Sequence, residues 1–143
     1  GLILSSRWHN IMFKIHKKVK YALISLKYMS SRKPGSLATA KAICTRFDLP
    51  FDPTARVLQL MAQNGVLKAE QGAHGGYRLV GDLDKLTIYG LSQIVVGGLS
   101  VTDCASAKGA CDRGHACVLK GAMAKLNDAV VRAFKAVSVR EMI

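Results

Sequence analysis

Acidic side chains, prolines and long apolar runs are all scarce in this chain, and each scarcity narrows what it can be. Only 9 aspartates and glutamates stand against 21 lysines and arginines, a formal net charge of +12, which directs attention to polyanions. Three prolines in 143 residues and no long polar tract argue against disorder, and a composition that is 50% hydrophobic supplies a core. No segment reaches the roughly 20 apolar residues of a membrane span. Leu2-Ile3-Leu4 is too short for a signal-peptide core and lacks a cleavage pattern after it. The chain is therefore expected in the cytoplasm, where thiols stay reduced, without contact to a membrane. Enzyme signatures are missing as well. There is no C-x-x-C, no βαβ pattern and no evident general base, and the glycine cluster at residues 72–76 lacks the Lys-Ser/Thr of a phosphate-binding loop.

What the chain does have is a basic half. Residues 1–81 carry 13 basic and 3 acidic side chains, whereas residues 82–143 carry 8 and 6. A polyanion-binding half joined to a nearly neutral half would show this asymmetry. Inside the basic half lies the stretch DPTARVLQLMAQNGVLKAEQGAHGGYRL, from Asp52 to Leu79. Asp52 is placed to cap a helix with Pro53 at its first position. Val57, Leu58, Met61 and Gly65 then keep a 3.6-residue period, and Asn64-Gly65 stops the helix. Two short strands follow, Val66 to Glu70 and Tyr77 to Val80, joined by a tip of glycines and polar residues. A helix leading into such a hairpin is the pattern of a recognition helix and its wing.

The preceding chain supplies the remaining parts. Residues 1–11 have no clear period and are expected to be a disordered or loosely packed extension. Ile15, Val19, Ala22, Leu23, Leu26 and Met29 make one amphipathic helix, with Lys17, Lys18, Lys20 and Lys27 on its wet side. Ser30 to Ser36 is a loop by its serines and Pro-Gly. Thr39 can cap a short helix to Phe47 that turns Ala40, Ile43, Cys44 and Phe47 inward. Cys44 on that stripe reads as a small hydrophobe. Two short helices so spaced match a helix-turn-helix, which puts residues 12–82 in a winged DNA-binding domain. Thr54 and Val57 are expected to face inward, and Ala55, Arg56 and Gln59 to face the major groove. Arg56 is the strongest base reader, because a guanidinium can bond both guanine acceptors at once. Lys18, Lys20, Thr39, Lys68, Gln71, His74 and Arg78 complete the expected contacts to double-stranded DNA.

From Leu83 the character changes. Thr87 can cap a helix through Val96, and a long helix is expected from Val118 to Val137, with Leu119, Ala122, Leu126, Val130, Ala133 and Val137 as its apolar seam. Ser138-Val-Arg-Glu141 is a capping-box pattern. A seam without an intramolecular partner is most simply buried against its own copy, so residues 83–143 are expected to dimerise the chain. Between these helices Cys104, Cys111 and Cys117 stand at C-x6-C-x5-C in a run of small residues. Zinc sites favour closer pairs, so this wider spacing suits an iron–sulfur cluster better, with a redox-active thiol pair or idle thiols as the competing readings.

Taken together, YALISLKYM, the helix-turn-helix, NGVLKAEQGAHGGYRL, LTIYGLSQIV, the three cysteines and the terminal SVREM resemble the Rrf-two family of transcription regulators, in particular its iron–sulfur-dependent branch. The resemblance runs from about Met12 to the end and implies a homodimer, promoters as targets and a cluster that senses iron–sulfur status, nitric oxide or redox state. It places Cys104, Cys111 and Cys117 at the cluster ligands. Several positions depart from the pattern. The first cysteine gap is one residue longer than usual, Lys120 and Lys20 stand where some relatives carry a further ligand, and Gln71, Pro50 and Pro53 replace common wing and recognition-helix residues. His115 is the leading candidate for a fourth ligand, with Asp103, Asp112 and His16 behind it. The expected fold is mainly α with a small β-hairpin wing, a winged helix-turn-helix followed by a long dimerisation helix. The expected function is regulation of transcription rather than catalysis, with a cluster-free regulator sensing thiol oxidation or a small ligand as the alternative.

Overall fold

The computed structural model describes residues 15–97 and 119–143. Helix α1 spans Lys17–Ser30, α2 Ala40–Phe47 and α3 Phe51–Gln63, and the strands β1 (Leu67–Glu70) and β2 (Gly76–Leu79) follow. Beyond them come α4 (Ile88–Val95), α5 (Lys120–Lys135) and the short α6 (Val139–Met142). The result is mostly helical with one antiparallel hairpin, the winged-helix arrangement expected.

The helices form where the apolar periodicity places them, and α1, α2, α4 and α6 also start on a side-chain cap. On α1, Val19, Ala22, Leu26 and Met29 are buried at helical spacing, while Lys17, Lys20 and Lys27 remain in solvent. The Thr39 hydroxyl accepts the Ala42 N–H at 3.0 Å and starts α2 as expected. Thr87 does the same for α4 through the Gly90 N–H. Val57, Leu58 and Met61 of α3 are completely buried, and Gly65, at φ 80°, takes the left-handed turn that ends the helix.

Two local expectations are corrected. The recognition helix begins at Phe51, two residues before the expected Pro53, and has no side-chain cap: Pro50 rather than Asp52 is its N-cap, and its carbonyl accepts the Thr54 N–H at 3.3 Å. Asp48, left-handed at φ 52°, turns the chain so sharply that Pro50 becomes the first acceptor. Asp52 then lies in the first turn, where its carboxylate favours the positive end of the helix dipole. Pro53 still lacks an N–H that would have had no partner there. Phe47 is the second correction. It is 39% exposed rather than turned into the core, and lies edge-on against Tyr28 at 5.7 Å between ring centroids.

The hairpin pairs Leu67 with Leu79, Lys68 with Arg78, Ala69 with Tyr77 and Glu70 with Gly76. Val66 precedes β1 instead of belonging to it, and its carbonyl takes the Val80 and Gly81 N–H groups. A third segment closes the wing: Ala38 exchanges both backbone hydrogen bonds with Tyr77, at 2.9 and 2.8 Å. A Cβ on Gly76 would sit 2.9 Å from the Ala38 carbonyl oxygen, so this crossing requires glycine there.

The C-terminal end is stitched to α4. Ile88 N–H donates to Val137 O at 2.9 Å, Val139 N–H to Leu86 O at 2.7 Å, and Arg140 N–H to Leu83 O at 3.1 Å. Ser138 and Glu141 form the expected capping box over α6. Val139 is thereby buried with Leu83, Ile88, Leu91 and Val95 in one core that also holds the inward faces of α1 and α3. Among the described helices none is long and apolar enough to cross a membrane.

Candidate nucleic-acid interface

The two helices of the helix-turn-helix differ in what they leave in water. On α3, Asp52, Ala55, Arg56, Gln59 and Gln63 fall on one face at helical spacing, opposite the buried Thr54, Val57, Leu58 and Met61. Arg56 and Gln59 are exposed and Ala55 is half-buried by its neighbours. Arg56 takes part in neither of the two ion pairs found among the described residues, Arg78–Glu70 and Arg140–Asp84. A guanidinium so placed has its fork of donors free for an external acceptor.

The wing carries a second group. Lys68, Gln71 and His74 are exposed along β1 and at the tip. Arg78 is different: its guanidinium meets the Glu70 carboxylate at 2.5 Å across the hairpin. That pairing offsets the repulsion of Lys68 and Arg78, which stand directly opposite each other. Arg78 therefore fixes the strands, whereas Lys68 presents an unneutralised charge.

Thr39 spends its hydroxyl on capping α2, so what it offers outward is its place at that helix's N-terminus. Lys20 is exposed on α1 and Lys18 half-buried. His16 caps α1, its Nδ1 accepting the Lys18 N–H at 3.1 Å, which leaves that nitrogen engaged. Two features were not anticipated from the sequence. Phe51 is 53% exposed at the start of α3, beside the face of Ala55. Arg32 and Arg46 both lie over the Tyr28 ring, at 5.2 and 5.6 Å from its centroid. Phe51 had a sequence signal in retrospect, since Thr54 and Ala55 give it no large apolar neighbour one turn on. Arg32 stands one helical turn after Tyr28, a spacing the sequence displays, whereas Arg46 reaches the same ring from α2 and had no local signal.

Cys104, Cys111, Cys117, His115, Asp103 and Asp112 lie outside the described residues, as do residues 1–11. Among the described residues the free cysteine is Cys44, buried on α2 as its stripe position implied, with its thiol directed to the Pro50 carbonyl at 3.8 Å.

Comparison with known proteins agrees with this architecture. The profile of the Rrf2 family, described as an iron-dependent transcriptional regulator, matches residues 15–143. An HTH-type transcriptional regulator described from Aquifex aeolicus (strain VF5) is 23% identical over 127 residues, 87% of this chain and 88% of that protein. Among solved structures, CymR (YrzC), the global cysteine regulator of B. subtilis, superposes with a TM-score of 0.65 at 18% identity, over 91% of this chain and 95% of that one. IscR of T. potens does so with a TM-score of 0.63 at 17% identity, over 91% and 85%. At these identities the structural likeness establishes the winged-helix fold, and the match of the family profile over nearly the whole chain goes further. This chain belongs to the Rrf2 family of transcriptional regulators, not to an enzyme family.

Proposed function

We propose that the chain is a homodimeric, sequence-specific DNA-binding regulator that reads its promoter with α3 and the wing. One observation supports this above the others: α3 buries one face completely and leaves Arg56 and Gln59 exposed on the other, Arg56 with no ionic partner among the described residues. Arg56 would contact base edges in the major groove, with Ala55 and Gln59 beside it. Lys18, Lys20, Lys68, Gln71 and His74 would meet phosphates or the neighbouring minor groove, supplying affinity without sequence preference. Thr39 would offer a backbone N–H at a helix start to a phosphate. Residues 12–82 would thus form the reading head, and residues 83–143 the control and dimerisation region.

This division of roles predicts different losses. Arg56→Ala should lower affinity for the cognate site by about 1–3 kcal/mol while leaving non-specific binding nearly intact. Lys18→Ala should weaken all duplexes alike and reduce the slope of log K against log salt by about 1. Fluorescence anisotropy with selected and scrambled duplexes reads both, and equal losses for the two variants would contradict the assignment.

The family's iron–sulfur members motivate a second element of the proposal. Cys104, Cys111 and Cys117 would hold a cluster, with His115 the leading fourth ligand, and three thiolates are the donor chemistry such a group takes. A bound cluster would supply a centre sensitive to oxidation and nitric oxide. Protein prepared without oxygen should then absorb in the visible, and alanine at any one of the three cysteines should remove that absorption. Colour retained in all three variants would eliminate the cluster. The structural likeness to CymR, a global cysteine regulator, supports a second reading, a cluster-free regulator sensing thiol oxidation or a small ligand. Iron and sulfide content of the same preparation separates the two.

A further inference from the structure

At the root of the wing, on the side away from its glycine tip, the loop after α1, the end of β2 and the C-terminal turn line an open cleft of about 250 Å³. Its wall carries Arg32, Lys33 and Arg140 and no carboxylate. Met29, Leu79 and Val80 form the apolar remainder. Three cations drawn to one concave surface repel each other, and the low-dielectric walls concentrate their field. The charges have little internal relief. Arg32 gives one N–H to the Leu37 carbonyl at 2.8 Å and lies over the Tyr28 ring at 5.2 Å, contacts that orient the guanidinium without neutralising it. Among the described residues the carboxylate that Arg140 reaches is Asp84, exposed and at 3.7 Å, with half of the Arg140 side chain itself in solvent. A pair of that kind is worth little.

We infer that this cleft binds a small oxyanion with a short organic body, a phosphate monoester or carboxylate no larger than an amino acid. The volume fits such a ligand, being equivalent to roughly eight water molecules at about 30 Å³ each. Guanidinium forks from Arg32 and Arg140 match the geometry of a phosphate or carboxylate, and Lys33 adds a point charge. Met29, Leu79 and Val80 accept the carbon skeleton. The position gives the site a consequence. Arg32 and Lys33 belong to the loop that leads to the third segment of the wing, whereas Arg140 follows α5 in the C-terminal region. An anion held by both clamps the C-terminal region to the wing, and binding would therefore bias how the two are held together.

The site is tested by isothermal titration of the full chain at low salt with inorganic phosphate and with O-phosphoserine, in the absence of DNA. Saturable binding of one ligand per chain is expected, tighter for O-phosphoserine because its carboxylate offers a second oxyanion to the three cations. Lys33→Gln and Arg140→Gln should each weaken it by about tenfold, the scale of one charge-assisted hydrogen bond. Asp84→Asn should strengthen it, because Arg140 loses its competing carboxylate, and Lys27→Gln, on α1 outside the cleft, should change nothing. Circular-dichroism melts identify any variant that fails to fold, and the gain in Asp84→Asn cannot arise from unfolding. Absence of saturable binding, or equal affinity in wild type, Lys33→Gln and Arg140→Gln, would overturn the proposal. So would Arg140→Gln weakening duplex DNA while no small anion binds, since the cations would then serve a nucleic-acid backbone. Because the titration contains no DNA, its failure leaves the account of promoter reading intact.

Discussion

Thr54 sits on the inward face of α3 with its side chain completely buried, and its hydroxyl finds no hydrogen-bond partner among the described residues. A buried polar group without a partner costs about 1–3 kcal/mol. Valine has nearly the same shape and a similar helix propensity, so Thr54→Val should stabilise the chain by about 1 kcal/mol in urea denaturation. A destabilised variant would mean that the hydroxyl has a partner which the described residues do not include. The inward direction of Thr54 was legible, because it follows from helical spacing against Val57, Leu58 and Met61. Its lack of a partner was not, since satisfaction of a hydroxyl depends on every element packed around it. Phe47 teaches the same lesson. Its spacing on α2 pointed inward, but it closes the helix beside Asp48, where the left-handed turn carries it to the edge of the core against Tyr28.

At the scale of elements, what could be read locally was read correctly. Thr39, Thr87 and Ser138 all cap where the sequence placed caps, because a hydroxyl reaching a backbone N–H three residues on is an interaction of neighbours. The start of α3 failed the same rule. Asp52 has the better capping chemistry, but the hydrogen bond from Leu49 N–H to Cys44 O tightens the turn and hands the first acceptor position to Pro50. The bridge between Ala38 and Tyr77 and the bonds tying Val139 and Arg140 to Leu86 and Leu83, just before α4, span long stretches of chain, and no local pattern announces them. The C-terminal clasp can be probed through its cap. Ser138→Ala removes an N-cap worth about 1 kcal/mol. Hydrogen exchange at the Val139 and Arg140 amides should accelerate, while the amides of α3 should keep their protection. Uniform acceleration across the chain would show that the clasp and the winged core unfold as one unit.

For the whole molecule, the deciding surface is α5. Phe134 near its C-terminus and Val137 just beyond it pack on the common core, and Lys135 lies over the Tyr89 ring of α4 at 4.7 Å. Toward its other end the apolar seam is exposed, with Leu119 at 54% and Leu126 at 40%, and no residue of α5 is buried. An amphipathic helix half-seated in this way is the feature from which we infer pairing of two copies, the seam of one covered by the other. Two copies would also set two α3 faces against one duplex at half-sites about one helical turn apart. Sedimentation velocity of the protein with a fluorescent cognate duplex at low salt tests pairing and DNA reading together. The account predicts a dimer in the absence of DNA and two chains travelling with each duplex. A monomer that leaves the duplex sedimenting alone would contradict it.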